Sequence, residues 1–265
     1  MPLRSETKIP VIIPFYRHKE KLDRCLAHLA AQTRDVEPVV IDNNVENRYF
    51  TGAVNLGLKT CLRSSSSYYV ILNQDMYLAP DAIERLADFL DASPGCGIAS
   101  PLQLAVETAG HVDFAGGLDA FPVGSYISGP RAAFTEDREV YWAGGACMML
   151  RAEMVREIGL LDPNLRFLGS DSDYCFTARV RGWATWVVAR ATGQHEAGAS
   201  TANQPDPVLE RVKTDDILYF AGKWLTGDLY RRLAYEGSKL DPSHVASLVE
   251  HFQGVRKLLT DRMPG

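Results

Sequence analysis

Short apolar runs that alternate with amphipathic segments are the feature that most constrains how this chain can fold. Residues 11–13, 39–41 and 68–72 are apolar runs of the length of buried strands. The segments between them have apolar residues at helical spacing: Leu22, Cys25, Leu26 and Leu29 in the first, and Val54, Leu58, Cys61 and Leu62 in the second. Repeated βα units of this length predict an α/β fold, with a mostly parallel central sheet and helices on both faces.

The same rhythm continues through a third helix and a fourth strand before it breaks. Pro80 and Asp81 begin the predicted helix, and residues 97–99 form the predicted strand. Glycines and prolines punctuate residues 102–141, which predicts a variable loop or a β-ribbon over the functional site. Regular structure is expected again over residues 142–158.

The C-terminal part of the chain has a different character. Residues 202–207 are polar and contain proline, as linkers do, and the remainder has helical apolar spacing. We therefore predict a main α/β domain at residues 1–200 and a C-terminal helical extension at residues 201–265 that packs on it. One apolar stripe of that extension is interpreted as a core or dimer face, because its polar face mixes both charge signs. Its members are Val245, Leu248, Val249, Phe252, Val255 and Leu259.

The bulk composition excludes several classes of partner. A formal net charge of -5 over 265 residues gives no field that attracts nucleic acid, so no nucleic-acid partner is expected. Five widely spaced cysteines without a CxxC pair indicate reduced thiols and a cytoplasmic location. The short charged N-terminus does not resemble a signal peptide, and no apolar run approaches the ~18 residues of a membrane span. Only a peripheral membrane contact is left open.

Polar residues at the ends of apolar runs indicate where chemistry takes place. Asn73 and Asp75 directly follow the run 68–72, and open α/β folds bind ligands at the carboxyl ends of their strands. A second acidic cluster contains Asp171 and Asp173, and His195 follows the apolar run at residues 186–188. Carboxylate oxygens suit hard divalent cations, and a further carboxylate can act as a base. The pattern indicates an enzyme that acts on a phosphate-bearing substrate with such a cation.

Six sequence segments, which follow one another in a fixed order within residues 8–200, carry a family resemblance. They are VIIPFYRHKEKLDRCLAHLAAQT, VVIDNN, GAVNLGLK, YYVILNQDMYLAPDAIERL, WAGGACMMLRAEMVREIGLLDPNLRFLGSDSDYCFTARVRGW and HEAGAS. The set resembles the family 2 glycosyltransferases of the GT-A fold, and within them the rhamnosyltransferase-like branch. The resemblance implies a nucleotide-sugar-binding and catalytic GT-A domain at residues 1–200. The QxxRW signature of processive polysaccharide synthases is absent from the sequence, which favours single sugar additions.

The resemblance implies inverting transfer of a sugar from a UDP- or dTDP-sugar to a glycan or lipid-linked saccharide. It places Mn²⁺ or Mg²⁺ on Asp75 and His195, where the cation would neutralise charge on the departing diphosphate. Asn73 would orient the ribose or a metal-bound water. Asp42 would accept a hydrogen bond from N3–H of uracil or thymine. The same pocket would be bordered by Pro14, Phe15, Tyr16 and Asn55.

The resemblance also names the acceptor side of the site. Asp171 would be the general base that takes the proton of the acceptor hydroxyl. Its family neighbour is acidic, whereas this chain has Ser170, which leaves the acceptor class open. The remaining acceptor or sugar contacts would come from Trp142, Gly144, Gly145 and Asp173.

Each of these assignments has a simpler structural alternative. In these alternatives, Asp42 and Asp75 do no more than stabilise turns. Asp171 is then a helix N-cap, and Asp173 is an ordinary acidic residue of a first helical turn. The segment 142–145 could be a plain β-turn. His195 could be a hydrogen-bonded core histidine, with Glu196 competing as the metal ligand.

Two other functions remain as alternatives. A catalytically silent GT-A-like module that binds nucleotide-sugar or glycan, or acts as a scaffold, is favoured by Ser170 and Asn73. A sugar-phosphate nucleotidyltransferase is disfavoured, because VIIPFYRHKEK has bulky residues where a glycine-rich phosphate loop would be needed.

Overall fold

Strands and helices alternate along the chain as the apolar pattern predicts. The computed structural model describes residues 7–117, 126–196 and 206–224, together with residue 257. The strands are β1 (Ile9–Phe15), β2 (Val36–Asp42), β3 (Tyr68–Leu72), β4 (Met76–Leu78), β5 (Cys96–Leu104), β6 (His111–Phe114), β7 (Gly129–Pro130), β8 (Arg138–Val140), β9 (Cys147–Arg151) and β10 (Ala184–His195). The helices are α1 (Lys19–Ala30), α2 (Tyr49–Cys61), α3 (Ala82–Ala92), α4 (Ala152–Ile158), α5 (Ser170–Val180) and α6 (Pro207–Trp224), with a 3-10 turn at Arg131–Ala133.

The central sheet is mostly parallel, which confirms the predicted fold class. Its strand order is β2-β1-β3-β9-β5-β10-β4. Strand β1 runs parallel to β2 and β3, and β5 runs parallel to β10. Strand β9 lies between β3 and β5 and is antiparallel to both, so those two strands still point the same way. The carboxyl ends of β1, β2, β3, β5 and β10 consequently meet at one edge.

Helices cover both faces of this sheet, as predicted. Alternate side chains of a strand point to opposite faces, so Ile12 and Ile71 belong to one core, and Val11 and Val70 to the other. The first core packs against α2, α4, α5 and α6, and the second against α1 and α3. All five cysteines are free and buried within these cores.

The described part of the segment predicted as a loop or β-ribbon contains short paired strands joined by turns and loops. Strand β5 extends beyond the predicted residues 97–99 to Leu104 and pairs with β6, which pairs with β7. Strand β8 pairs with β10. A small separate core that includes Leu102, Val112 and Phe134 lies beneath this region. These paired strands are therefore an extension of the central sheet rather than a detached loop.

Helix α6 packs on the α/β domain through its buried residues Phe220 and Trp224, which join the core that contains α5. The stripe from Val245 to Leu259 lies outside the described residues, apart from residue 257. The division of the chain at residue 200 stays a prediction. Within the described parts of the chain, no helix combines the length and apolar character needed to cross a membrane.

Candidate active site

The carboxyl ends of β1 and β2 bring the predicted donor-binding residues together. Phe15 and Asp42 are register partners in the parallel pair, and Pro14 lies opposite Ile41. The backbone N–H of Asn43 donates to the carbonyl of Phe15 at 2.8 Å. The two strands therefore end side by side, and the loops that follow them leave the sheet at one place.

Asp42 is an exposed carboxylate held by its own loop. Its Oδ1 accepts hydrogen bonds from the backbone N–H of Asn44 at 2.8 Å and from the Asn44 side-chain amide at 2.7 Å. These bonds hold the pKa of Asp42 below its ordinary value, so the group is charged at neutral pH. Asp42 therefore stabilises its turn through Oδ1, as the simpler alternative predicts. Its Oδ2 remains available for a hydrogen bond to a ligand.

Gln74 fixes the loop that follows β1, a role that sequence reasoning missed. The buried side chain accepts from the backbone N–H of Tyr16 at 2.8 Å and donates to the carbonyl of Arg17 at 3.0 Å. Arg17 and His18 have φ values of 55° and 50°, a left-handed conformation that needs external support. The position of Gln74 between Asn73 and Asp75 marks the turn but does not indicate these partners.

Asp75 and His195 meet at the sheet edge, although 120 positions separate them in sequence. Residue His195 ends β10 and pairs in register with Met76, the first residue of β4. Its Nε2 lies 3.4 Å from Asp75 Oδ1. Asp75 is buried and His195 half-buried, so their polar atoms face a recessed edge. Asn73 lies at the same turn, where its backbone N–H donates to the carbonyl of Ala146 at 2.9 Å.

The Asp75–His195 pair has the right chemistry for two neighbouring ligands of Mn²⁺ or Mg²⁺. Carboxylate oxygen suits these cations and neutral imidazole is a weaker second ligand, and adjacent ligands at about 2.1 Å from a metal lie about 3 Å apart. The observed 3.4 Å matches that spacing. Among the described residues, no group of three or more His, Cys, Asp and Glu side chains could hold a metal. Further oxygen ligands would have to come from a bound substrate or water.

Glu196, the alternative metal ligand, is engaged elsewhere. Its carboxylate pairs with Arg24 at 2.5 Å and Lys21 at 3.1 Å, and it accepts from the Tyr77 hydroxyl at 3.2 Å. Partial burial acts in the opposite direction, but these partners hold the pKa of Glu196 below its ordinary value. Since two cations already neutralise this carboxylate, His195 is the better ligand beside Asp75.

Asp171 is held at the start of α5 against the glycine pair. Its Oδ2 accepts from the backbone N–H of Gly145 at 2.8 Å, and its Oδ1 accepts from the backbone N–H of Ser172 at 2.8 Å. The N-cap position belongs to Gly169, so the N-cap alternative for Asp171 is wrong. Burial raises the pKa of the Asp171 carboxyl, and the two backbone hydrogen bonds oppose that rise. Because a raised pKa makes a carboxylate more basic, this environment suits a general base.

Gly144 and Gly145 allow a close approach that larger residues would block. A Cβ at Gly145 would lie 2.8 Å from the Phe50 ring and 3.4 Å from Asp171 Oδ2. The backbone N–H of Cys147 donates to the carbonyl of Gly144 at 3.3 Å, so the segment is also a turn. The glycine pair therefore lets this turn lie directly against Asp171.

Trp142 precedes this turn and is buried. Its ring packs against Phe114 with centroids 5.2 Å apart. Its indole N–H has no hydrogen-bond partner among the described residues. The side chain is thus part of an aromatic cluster beside the glycine pair, where we expected a sugar contact.

Asp173 and Asn55 make internal contacts instead of the ligand contacts we expected. Asp173 Oδ1 accepts from the Trp224 indole N–H at 2.6 Å and pairs with Lys223 at 2.7 Å. Asn55 donates to the carbonyl of Leu161 at 2.8 Å and accepts from its backbone N–H at 3.0 Å. These hydrogen bonds occupy both side chains, so neither enters the function proposed below.

Helix α6 supports the loop before Asp171, which the sequence did not reveal. The fully buried Asp216 accepts hydrogen bonds from three consecutive backbone N–H groups, those of Arg166, Phe167 and Leu168, at 3.1, 2.7 and 2.9 Å. Gly169 and the start of α5 follow directly. The position of Asp171 therefore depends on a carboxylate 45 positions later in the chain.

The fold and the polar edge together define the class of this protein: an α/β protein of the GT-A type. A crystal structure of GalNAc-T7 with UDP, GalNAc and Mn²⁺ superposes with a TM-score of 0.62 at 13% identity, over 97% of this chain and 56% of that one. Two crystal structures of S. aureus TarS 1-349, the second in complex with UDP-GlcNAc, give TM-scores of 0.56 and 0.57 at 14% and 15% identity. They cover 93% of this chain and 71% and 72% of those. This chain thus spans little more than half of the GalNAc-T7 structure.

The family follows from the sequence itself. Residues 37–208 match the family described as "Glycosyltransferase like family 2". That stretch is well over half of the 265 residues, so the chain belongs to the family 2 glycosyltransferases. No curated protein matches the sequence significantly.

Proposed function

We propose that this glycosyltransferase moves a sugar, with inversion, from a UDP- or dTDP-sugar to a saccharide or lipid-linked saccharide. The observation that carries the proposal is the meeting of Asp75 and His195, 3.4 Å apart at the carboxyl edge of the sheet. The neighbours support the donor class, since GalNAc-T7 was crystallised with UDP and Mn²⁺, and TarS with UDP-GlcNAc. The rhamnosyltransferase-like branch and a hexosyl or deoxyhexosyl donor are the finer parts of the same proposal.

The nucleoside would bind where β1 and β2 end. Asp42 presents a charged carboxylate there, suited to accept the N3–H of uracil or thymine. Pro14, Phe15 and Tyr16 would line the base, and Gln74 holds their loop in place. Since the site depends on one hydrogen bond at the position of pyrimidine N3–H, the larger purine bases would not place a donor there and would bind poorly.

The diphosphate would bind at Asp75, His195 and Asn73. Mn²⁺ or Mg²⁺ held by Asp75 and His195 would neutralise the charge that develops on the leaving nucleoside diphosphate. The side-chain amide of Asn73, half-buried and without a hydrogen-bond partner among the described residues, would orient the ribose or a water molecule.

The acceptor hydroxyl would approach Asp171. Inverting transfer needs a base on the face opposite the leaving group, and a carboxylate of raised pKa takes a proton more readily than an ordinary aspartate. The Gly145 N–H orients Oδ2 of this carboxylate. Trp142 and the glycine pair would border the sugar. The acceptor class, a cytoplasmic location and peripheral contact at the inner membrane face also belong to this proposal.

The direct test is release of the nucleoside diphosphate from a panel of UDP- and dTDP-sugars, with and without Mn²⁺ and candidate acceptors. We expect metal-dependent turnover of a pyrimidine nucleotide-sugar that a matching acceptor accelerates. The purified Asp171→Asn variant serves as the background control. Metal-independent release, or no release from any donor, would contradict the proposal.

A catalytically silent nucleotide-sugar or glycan-binding module is the second candidate. It is favoured by Ser170, which replaces the acidic neighbour of the base. The Ser170 hydroxyl is buried without a hydrogen-bond partner among the described residues. Metal-dependent donor binding without turnover, for every acceptor tried, would support this candidate over an active enzyme.

A further inference from the structure

His195 touches a second polar side chain besides Asp75. Its Nδ1 lies 3.2 Å from Oε1 of Gln103, a β5 residue only 5% exposed. Strands β5 and β10 are register partners at Gln103 and Gly193, two residues before His195. The imidazole is therefore held between two side chains, with Gln103 at one nitrogen and Asp75 at the other.

The chemistry of the two partners distinguishes the two ring nitrogens. An amide oxygen only accepts hydrogen bonds, so the contact with Gln103 Oε1 requires a proton on Nδ1. Asp75 Oδ1 also only accepts, but at 3.4 Å it lies beyond the usual N–H···O range, so in the neutral imidazole the shorter Gln103 contact decides the tautomer and the Nε2 lone pair is directed towards Asp75. A histidine binds a metal through such a lone pair, and the partner of its other nitrogen sets which nitrogen that is.

The geometry points to Gln103 as a positioning residue that keeps the His195 proton on Nδ1 and so presents Nε2 beside Asp75 as a metal-binding atom. This role deepens the proposed function, because it concerns the same metal pair. Gln103 also lies beside the glycine pair: a Cβ at Gly144 would be 3.1 Å from its Nε2. The absence of a side chain at Gly144 therefore leaves room for the Gln103 amide beside the histidine.

Two substitutions at Gln103 and one control separate this role from packing. Gln103→Met keeps the length of the side chain but removes the acceptor. Gln103→Glu keeps an acceptor at the same place. Gln194→Met makes the same chemical change at an exposed residue of β10, next to His195 in sequence.

The first measurement is ¹⁵N NMR of the histidine ring in the metal-free protein, at a pH where the imidazole is neutral. The His195 signals are assigned by comparison with His195→Asn. We expect a protonated Nδ1 in the wild type and in Gln103→Glu, and transfer of the proton to Nε2, facing Asp75, in Gln103→Met. A wild-type His195 with an unprotonated Nδ1 overturns the inference, as does a tautomer that does not change in Gln103→Met.

The second measurement is Mn²⁺ affinity in the presence of UDP. Loss of a hydrogen-bond partner behind a metal ligand lowers affinity about 10–100-fold, which we expect for Gln103→Met. Gln103→Glu and Gln194→Met should remain close to the wild type. Equal losses in Gln103→Met and Gln103→Glu would mean that Gln103 matters only for packing. If the wild type binds no Mn²⁺ with UDP, the proposed function fails, whereas the metal-free tautomer still decides the role of Gln103.

Discussion

At the scale of single residues, Asp75 contributes the charge of the Asp75–His195 pair. Its carboxylate is the anionic member of that pair, and His195 alone is a weak ligand for a hard cation. Asp75→Ala should therefore abolish metal-dependent UDP binding while the protein stays folded. Calorimetry with UDP and Mn²⁺ measures the binding, and circular dichroism checks the fold. Unchanged affinity in the folded variant would contradict the assignment of Asp75.

Asp171 carries the chemical step in this account. Asp171→Asn is almost the same size but cannot take a proton, so turnover should fall about 10²–10⁴-fold, as for loss of a general base. Donor affinity should remain, because Asp171 is assigned to the acceptor side. Asp173→Asn is the matched control in the same helical turn and should cost much less turnover. A larger loss in a folded Asp173→Asn variant would contradict the assignment of Asp171 as the base.

The environment of Asp171 also predicts a pH dependence. The base must be ionised, and burial raises the pKa of its carboxyl above the ordinary value. The rate should therefore fall as the pH decreases through that raised pKa, at a higher pH than an exposed aspartate would give. A pH profile of kcat/KM with saturating metal measures this acidic limb. A profile that stays flat down to the range of an ordinary aspartate would contradict Asp171 as the base.

Local sequence indicated some of these side chains and not others. Asp42, Asn73 and Asp75 could be proposed because each follows an apolar run, and a strand end is visible in the sequence. Gln74, Gln103 and Asp216 could not, since their contacts join residues 58, 92 and 48–50 positions apart. Glutamine and aspartate carry no signal of such a partner until the chain has folded.

At the scale of elements, α6 supports the start of α5. Asp216 is fully buried and satisfies three backbone N–H groups before Gly169. Asp216→Asn removes the charge and at least one acceptor, so unfolding free energy should fall by about 2–3 kcal/mol, typical for hydrogen bonds to a charged group. Chemical denaturation measures this change.

Asp215→Asn is the matched control for that change. Asp215 is more than a third exposed and pairs with Arg166 and Arg211. Exposed ion pairs contribute about 0–1 kcal/mol, so this variant should stay close to the wild type. Equal effects of the two substitutions would contradict the bracing role of Asp216.

The spacing of apolar residues is enough to predict the helices but not the order of the strands in the sheet. Helices α1, α2 and α3 lie where the helical spacing of apolar residues predicts them, with those faces buried. The position of β9 between β3 and β5 could not be predicted, because it depends on pairing between segments distant in sequence. Its apolar run, Cys147–Arg151, fits a parallel or an antiparallel neighbour equally well.

At the scale of the whole molecule, the sheet gathers the proposed donor, metal and base residues, which are scattered along the sequence. Asp42 is the last residue of β2, and Asp75 directly precedes β4. Asp171 lies in the first turn of α5, and His195 is the last residue of β10. The carboxyl edge is where an α/β sheet places its ligand, so the fold alone predicts a ligand site there. The central claim is that this edge binds a pyrimidine nucleotide through a divalent cation.

The measurement that tests this claim most directly is calorimetric titration of the wild-type protein with UDP, dTDP and GDP, each with Mn²⁺ and with chelator. We expect UDP or dTDP to bind only when Mn²⁺ is present, and GDP to bind at least about tenfold more weakly, because its larger purine ring does not place a donor where the pyrimidine N3–H would meet Asp42. Equal binding of GDP and UDP would contradict the role of Asp42. Nucleotide binding that is the same with chelator as with Mn²⁺, or no binding at all, would contradict the account as a whole.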